Sequence, residues 1–266
     1  PDPAKGIATV NLTVLAGSLH ERYGETGMAH LLEHLVFKGS PKYPAPTMEM
    51  QRRGLSWNGT TSDDRTNYFA SFSSSDETMA WYLNWQADAL VNANIARQDL
   101  DSEMTVVRNE YERGENVAER ILLQRMRAAA YQWHNYGKST IGTRSDIEHV
   151  DIPRLRDFYQ RYYQPDNAVL IVTGRFDVAK TLEQIRLAFG GIARPTRTLT
   201  APYTQEPVQD GEHQVTVRRT GDTPMVGVLY HAMPAAHPDF AAAALLAPIL
   251  GGEPQGRLYR QLSAQQ

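Results

Sequence analysis

Cysteine is absent from the 266 residues, so the chain can form neither a disulfide framework nor a thiolate metal site. Its longest apolar run, FAAAALLAPIL at residues 240–250, is too short to cross a bilayer. The chain has no dense block of Lys or Arg and a net charge of −3, which argues against a nucleic-acid or membrane-surface role. We recognise no phosphate-binding loop, nucleophile elbow or signal peptide. Hydrophobic residues make up 41% of the chain, so a normal buried core is expected.

The first two thirds of the chain predict an α+β fold, in which helices mix with a largely antiparallel sheet. Strands are predicted at 7–18 and, as a pair joined by a polar turn, within 55–72. Helices are predicted at 26–38, 75–95 and 100–133. Thr26 is the expected N-cap of the first helix. Residues 158–174 predict a helix end, a turn and a buried strand, and Asp177 is expected to cap a helix that ends at Phe189. No steady βαβ rhythm is present, which favours α+β over α/β.

Composition changes near residue 196. Residues 196–212 are rich in Pro and Thr and predict a linker. We therefore expect one domain at 1–195 and the truncated start of a second domain at 213–266. The second domain is expected to open with a hairpin, whose strands are at 213–219 and 225–232, followed by an Ala-rich helix and a final helical segment. Both ends of the chain are expected to be cuts within a longer protein.

The stretch HLLEH, residues 30–34, places three titratable side chains in an otherwise apolar helix. His30 and His34 are four residues apart, so they share one helix face and can bind one metal ion. Glu33 can lean over the same face without being a ligand. This order of residues is the inverzincin form of a zinc-protease motif. The competing interpretation is a core helix with incidental histidines.

Two histidines leave a tetrahedral site one protein ligand short, and without cysteine the third ligand is expected to be a histidine or a carboxylate. Glu103 and Glu110 are seven residues apart on a predicted helix, so they share a face. One of them could bind a metal ion while the other holds a ligand in place. An ordinary exposed acidic face is the alternative. Spacing alone does not decide between these interpretations.

HxxEH followed by E-x6-E, the latter ending in VVRNE, resembles the pitrilysin/insulinase family of zinc metallopeptidases. The resemblance covers essentially the whole chain and is carried also by GSLHERYGETGMAHLLEHLVFKGS, WNGTTSDDRTNYF, YQPDNAVLIVTGRFD and GRLYRQL. The chain is similar to the long bacterial members of this family, which implies a periplasmic location; a cytoplasmic location stays open. The resemblance also implies that residues 213–266 begin a second domain related to the first.

The resemblance assigns roles to five residues of the motifs. It implies that one Zn²⁺ per chain is bound by His30, His34 and Glu110. It also implies that Glu33 is the general base and that Glu103 supports the site. All five positions match the family pattern, so the resemblance implies an active zinc endopeptidase that hydrolyses peptides or small unfolded proteins. The alternative is a non-catalytic scaffold or partner subunit of the same family.

The strand after the zinc-binding helix is the expected substrate site. The segment WNGTT, residues 57–61, is polar and contains a glycine, which is typical of an edge strand. An edge strand can accept an extended peptide by β-augmentation, and the resemblance places this role on Asn58, Gly59, Thr60 and Thr61. A purely structural edge strand is the alternative. The expected partners are a peptide substrate and either the remaining half of the same protein or a partner subunit. Neither a nucleic acid nor a membrane is expected as a partner.

Overall fold

The computed structural model of the protein describes residues 1–2, 4–221 and 224–262. The chain divides into two compact units, Pro1–Met225 and Val226–Gln266. No helix within the described residues combines the length and the apolar character needed to cross a membrane.

Four strands form one sheet in the first unit. They are β1 (Ile7–Val14), β2 (Ser56–Thr61), β3 (Thr66–Ser73) and β4 (Ala168–Gly174), in the order β2-β3-β1-β4. Every pairing is antiparallel, with Val10 opposite Ala70 on one side and opposite Val172 on the other. The mixture of helices and antiparallel strands confirms the α+β prediction. Strand β2 pairs only with β3 among the described residues, so its second edge is free.

The described residues form ten α-helices, of which eight belong to the first unit and two to the second. They are α1 (Met28–Val36), α2 (Pro46–Arg52), α3 (Asp76–Asn92), α4 (Arg97–Glu115), α5 (Ala118–Ala130), α6 (Arg144–Glu148), α7 (Ile152–Tyr162), α8 (Val178–Phe189), α9 (Phe240–Gly251) and α10 (Arg257–Leu262). One face of the sheet is buried through alternate residues such as Ala8, Val10 and Leu12, which join a single core with residues of α1, α3 and α7. Asp177 caps α8, as predicted.

The single helix predicted over residues 100–133 is wrong, because two helices occupy this stretch. Helix α4 ends at Glu115 and Asn116 is its C-cap, while Val117 has an extended backbone and α5 begins at Ala118. The amide of Asn116 also donates a hydrogen bond of 3.0 Å to the Glu112 carbonyl. Asparagine competes in this way for backbone groups and so favours helix ends over helix interiors.

The hairpin predicted for residues 213–219 and 225–232 is wrong, since neither described segment forms a strand; part of the connecting turn, 222–223, lies outside the described residues. A lone two-stranded hairpin is at best marginally stable without further strands or a packed helix.

The predicted linker is attached to the first unit. The carboxylate of Glu206 accepts backbone hydrogen bonds of 2.8–2.9 Å from Gln132, Trp133 and His134.

Distant residues fix the N-terminal end of α1. The prediction that Thr26 caps this helix is wrong: Gly27 is the N-cap, with a φ of 93° that favours glycine, and the Thr26 hydroxyl donates to Asp146 at 2.7 Å. Glycine has no side chain to accept hydrogen bonds at the helix start, and the buried side chain of Glu21, which is only 3% exposed, accepts them instead. Its carboxylate accepts hydrogen bonds from the backbone N–H of Gly27 at 3.0 Å and of Ala29 at 2.9 Å. These bonds satisfy donors that a helix start otherwise leaves without partners.

Burial raises the pKa of Glu21 from about 4.5 to about 8, against the opposing effect of its two backbone hydrogen bonds. At pH values between these two pKa values, Glu21 is deprotonated in the unfolded chain and protonated in the folded protein. The free energy of unfolding therefore falls as pH rises, by on the order of 1 kcal/mol per pH unit. We expect Glu21→Gln to remove this slope. Urea unfolding of both metal-free proteins from pH 5 to pH 8 checks it, and parallel pH profiles would contradict the assignment.

Candidate metal centre

Three side chains from two helices converge on one point in the first unit. The Nε2 atoms of His30 and His34 are 3.4 Å apart. The Oε2 atom of Glu110 is 3.5 Å from each of them. His30 and His34 lie on α1, one turn apart, and Glu110 lies near the end of α4. The structure thus brings together His30, His34 and Glu110 as a set that could hold a metal ion.

The shape of this triangle fits a tetrahedral zinc ion. Zinc lies about 2.0–2.1 Å from nitrogen and oxygen ligands, so two ligands of a tetrahedron are roughly 3.3–3.4 Å apart. The three observed edges, 3.4, 3.5 and 3.5 Å, are within about 0.2 Å of that value. A set of three protein ligands leaves a fourth position for water or substrate, which is the arrangement of catalytic rather than structural zinc sites.

His30 is held neutral by its surroundings, and His34 is oriented as a metal ligand requires. Burial lowers the pKa of His30 to about 4, and the charges of His34 and Arg120 add to this effect. His34 contacts the Oε2 atom of Glu103 through Nδ1, at 3.0 Å. A proton on Nδ1 makes this hydrogen bond and leaves the lone pair of Nε2 directed at the cluster.

Glu103 is itself held in place by a residue that the sequence analysis missed. The Nζ atom of Lys38 forms an ion pair with the Oε1 atom of Glu103. Burial of Glu103 opposes its ionisation, but the hydrogen bonds from Lys38 and His34 together keep its pKa below the usual value. Lys38 follows His34 by four residues, so helical spacing could have identified it. Glu103 therefore contacts His34 from outside the triangle, whereas Glu110 is one of its three corners.

Glu33 lies beside the triangle and against strand β2. Its Oε2 atom accepts a hydrogen bond of 2.6 Å from the Thr61 hydroxyl. Burial raises the pKa of Glu33 above its usual value, and the Thr61 hydrogen bond opposes this rise. Gly59 allows the close approach, because a Cβ atom there would lie 2.7 Å from Cγ and Oε1 of Glu33. Glu33 thus lies outside the set of three side chains that could hold a metal ion.

The predicted substrate residues of β2 divide between the two faces of the sheet. Asn58 and Gly59 line a cleft of about 730 Å³ that also contains His30, Glu33, His34, Glu103 and Glu110. Thr61 faces the same side through its bond to Glu33. The side chain of Thr60 alternates to the opposite face, as that of Asn58 does, and the Thr60 hydroxyl accepts a hydrogen bond of 3.1 Å from Asn67. Three of the four residues thus border the candidate metal centre.

The sequence is similar to known proteases. Residues 1–144 match the family described as Insulinase (Peptidase family M16), and residues 149–266 match the family described as Peptidase M16 inactive domain. A zinc protease, PqqE, of Helicobacter pylori is 30% identical over 251 residues, which is 92% of this chain and 56% of the relative. The chain spans about half the length of the curated relatives it matches.

Solved structures agree with the sequence comparison. The crystal structure of a protease from Helicobacter pylori has a TM-score of 0.87 at 27% identity and covers 98% of this chain and 64% of that one. The periplasmic protease PqqL from Escherichia coli has a TM-score of 0.67 at 25% identity and covers 76% of this chain and 24% of that one. The match over residues 1–144, more than half of the sequence, shows that the chain belongs to the insulinase family, peptidase family M16.

Proposed function

We propose that this chain is the metal-binding part of a zinc endopeptidase that hydrolyses peptides or small unfolded proteins. The observation that carries the proposal is the triangle formed by His30, His34 and Glu110, whose edges suit one tetrahedral Zn²⁺. In this proposal these three side chains are the ligands and Glu103 orients His34.

The residues around the ligands supply the rest of the chemistry. A bound Zn²⁺ lowers the pKa of a water molecule toward neutrality and polarises a carbonyl group. Glu33 is placed to accept a proton from the attacking water and to deliver it to the leaving amine. The free edge of β2 is placed to pair with an extended peptide, so Asn58, Gly59, Thr60 and Thr61 would position the backbone of the substrate. Thr61 also fixes the orientation of Glu33.

The alternative is a non-catalytic partner subunit, and the match of residues 149–266 to a family described as inactive gives it some support. That match lies outside the residues of the metal centre, all of which fall within 1–144. The proposed division is a zinc-binding domain at 1–195, a linker at 196–212 and the start of a second related domain at 213–266. This division stays a prediction.

We propose that a second half of the protein, or a partner subunit, completes the substrate chamber. The length of the relatives supports this, since the chain spans 56% of the PqqE relative and 64% of the Helicobacter protease structure. A bacterial periplasmic location is proposed from the similarity to PqqL, which is itself described as periplasmic. A cytoplasmic location remains the alternative.

Purified without chelator, the chain is expected to bind one Zn²⁺. Glu110→Gln should lower the affinity for Zn²⁺ more than Glu103→Gln, because Glu110 lies within the ligand triangle and Glu103 acts through His34. Loss of such a supporting carboxylate costs about 10–100-fold in affinity. Competition with a chromophoric chelator measures both variants, and Glu112→Gln on the same helix is the matched control. Equal losses in Glu103→Gln and Glu110→Gln would overturn the ligand assignment.

Replacing the proposed base should separate catalysis from metal binding. Glu33→Gln is expected to retain Zn²⁺ and to lose peptide hydrolysis by about 10²-fold or more, because the proton acceptor is removed and the ligands are not. Metal content and cleavage of an unstructured peptide are measured on the same preparations, with the other half of the protein added where the chain alone is inactive. Turnover near that of the unaltered protein would place the base elsewhere.

Strand β2 offers a further test. Gly59→Ala is expected to reduce turnover at least about tenfold with Zn²⁺ retained, because its Cβ would lie 2.7 Å from two atoms of Glu33 and displace the carboxylate. Thr60→Ala is the matched control, since that side chain faces the other side of the sheet. Equal turnover in the two variants would show that Glu33 tolerates the displacement.

A further inference from the structure

A second cleft, of about 320 Å³, adjoins the candidate metal centre. It shares His30 and Glu110 with the ligand triangle and extends to Arg113, Arg120 and Thr140. Arg113 lies on α4 and Arg120 on α5, so the break between these helices brings two guanidinium groups to one side of the cleft. Arginine forks of this kind bind carboxylates through paired hydrogen bonds.

The charge of these two arginines is not neutralised within the described part of the chain. Neither arginine has a carboxylate within ion-pair distance there, whereas Glu115, two residues from Arg113, pairs instead with Arg219 at 3.0 Å. Glu110 is the only acidic residue among the described residues that line the cleft, and its Oε2 atom is directed at the two histidines. The cleft therefore presents an excess of positive charge beside the metal centre.

The position of Arg120 depends on a glycine of the facing helix. Gly114 is buried, and a Cβ atom added to it would lie 3.0 Å from Cζ and Nη1 of Arg120. The guanidinium group thus lies against the backbone of α4.

Strand β2 leads from the larger cleft to this basic one. Trp57 lines the larger cleft together with apolar side chains that include Phe37 and Leu55, and Thr61 lines the basic cleft. Residues of a strand advance by about 3.3 Å each, so Trp57 and Thr61 are roughly 13 Å apart along the strand. An extended peptide paired with the free edge of β2 would pass the metal centre and place its next residues at the arginines.

We propose that the basic cleft is a substrate subsite that binds a carboxylate within about three residues of the cleaved bond. The carboxylate can come from a Glu or Asp side chain or from the C-terminus of a short peptide. This inference rests on the proposed peptidase function and names a substrate class for it. The two arginines act on binding and selectivity, and the chemical step is left to Glu33 and the ligands.

Peptides of one length, amidated at the C-terminus, test the proposal. They carry Glu, Gln or Lys at one position that is moved from one to three residues on each side of the cleaved bond. A second series keeps Gln and ends in a free C-terminal carboxylate one to three residues after the cleaved bond, which distinguishes the two sources of the charge on that side. Cleavage is followed by mass spectrometry, and binding to the zinc-loaded Glu33→Gln chain is followed by fluorescence anisotropy.

We expect Glu, or a free terminus, to be preferred over Gln by about tenfold on one side of the bond and Lys to be disfavoured. Arg120→Gln and Arg113→Gln should remove the preference while cleavage or binding of the Gln peptides is retained. Gly114→Ala keeps both charges but displaces Arg120, so it should weaken the preference. Arg125→Gln, elsewhere on α5, is the matched control and should change nothing.

The outcomes separate this proposal from the function on which it rests. Peptides that bind or are cleaved with equal preference for Glu and Gln would overturn the carboxylate subsite and leave the peptidase proposal standing. A preference that persists in Arg113→Gln and Arg120→Gln would also overturn it, because the charge would then be recognised elsewhere. Failure of every peptide to bind or be cleaved, with the other half of the protein added, would contradict the peptidase function and the subsite together.

Discussion

Burial of ionisable side chains on α1 is the constraint on which the rest of the structure depends. Leu31, Leu32 and Leu35 of this helix are at most 1% exposed, yet His30 and His34 occupy the same two turns. Buried polar groups are costly unless they have partners. The partners of these side chains come from other elements: Glu103 and Glu110 from α4 and Thr61 from β2. Glu21, from the segment before the helix, accepts hydrogen bonds from backbone N–H groups at the helix start. The sheet edge and α4 must therefore lie close to α1.

Local spacing was sufficient to predict which side chains of α1 lie together. His30, Glu33 and His34 share a helix face whatever the rest of the fold is, and the same argument places Glu103 and Glu110 on one face of α4. Spacing could not tell which glutamate enters the triangle, because both lie on that face. The tertiary position of α4 makes the distinction, with Glu110 3.5 Å from each Nε2 atom and Glu103 against Nδ1 of His34.

Predictions failed where a distant partner or a missing neighbour decided the outcome. Thr26 has the side chain of a good N-cap, but its hydroxyl bonds to Asp146, 120 residues away, and Gly27 takes the cap position. The segments 213–219 and 225–232 have a suitable sequence pattern for strands, but their described residues pair with no strand. The basic cleft had no local signal, since its arginines converge only through the break at Asn116.

The anchoring of α1 has a consequence for the order of folding. Its N-terminal end is held by Asp146 through Thr26, and Glu21 is held by Asn135, contacts that span 120 and 114 residues of sequence. Contacts of such sequence separation form slowly, because a long loop must close before they contribute. During synthesis, the segment around Asp146 must leave the ribosome before the helix that carries both histidines can be secured. The uptake of a metal ion in the proposed function would thereby wait until the segment around Asp146 has emerged, because the three side chains of the triangle do not reach their final geometry before then.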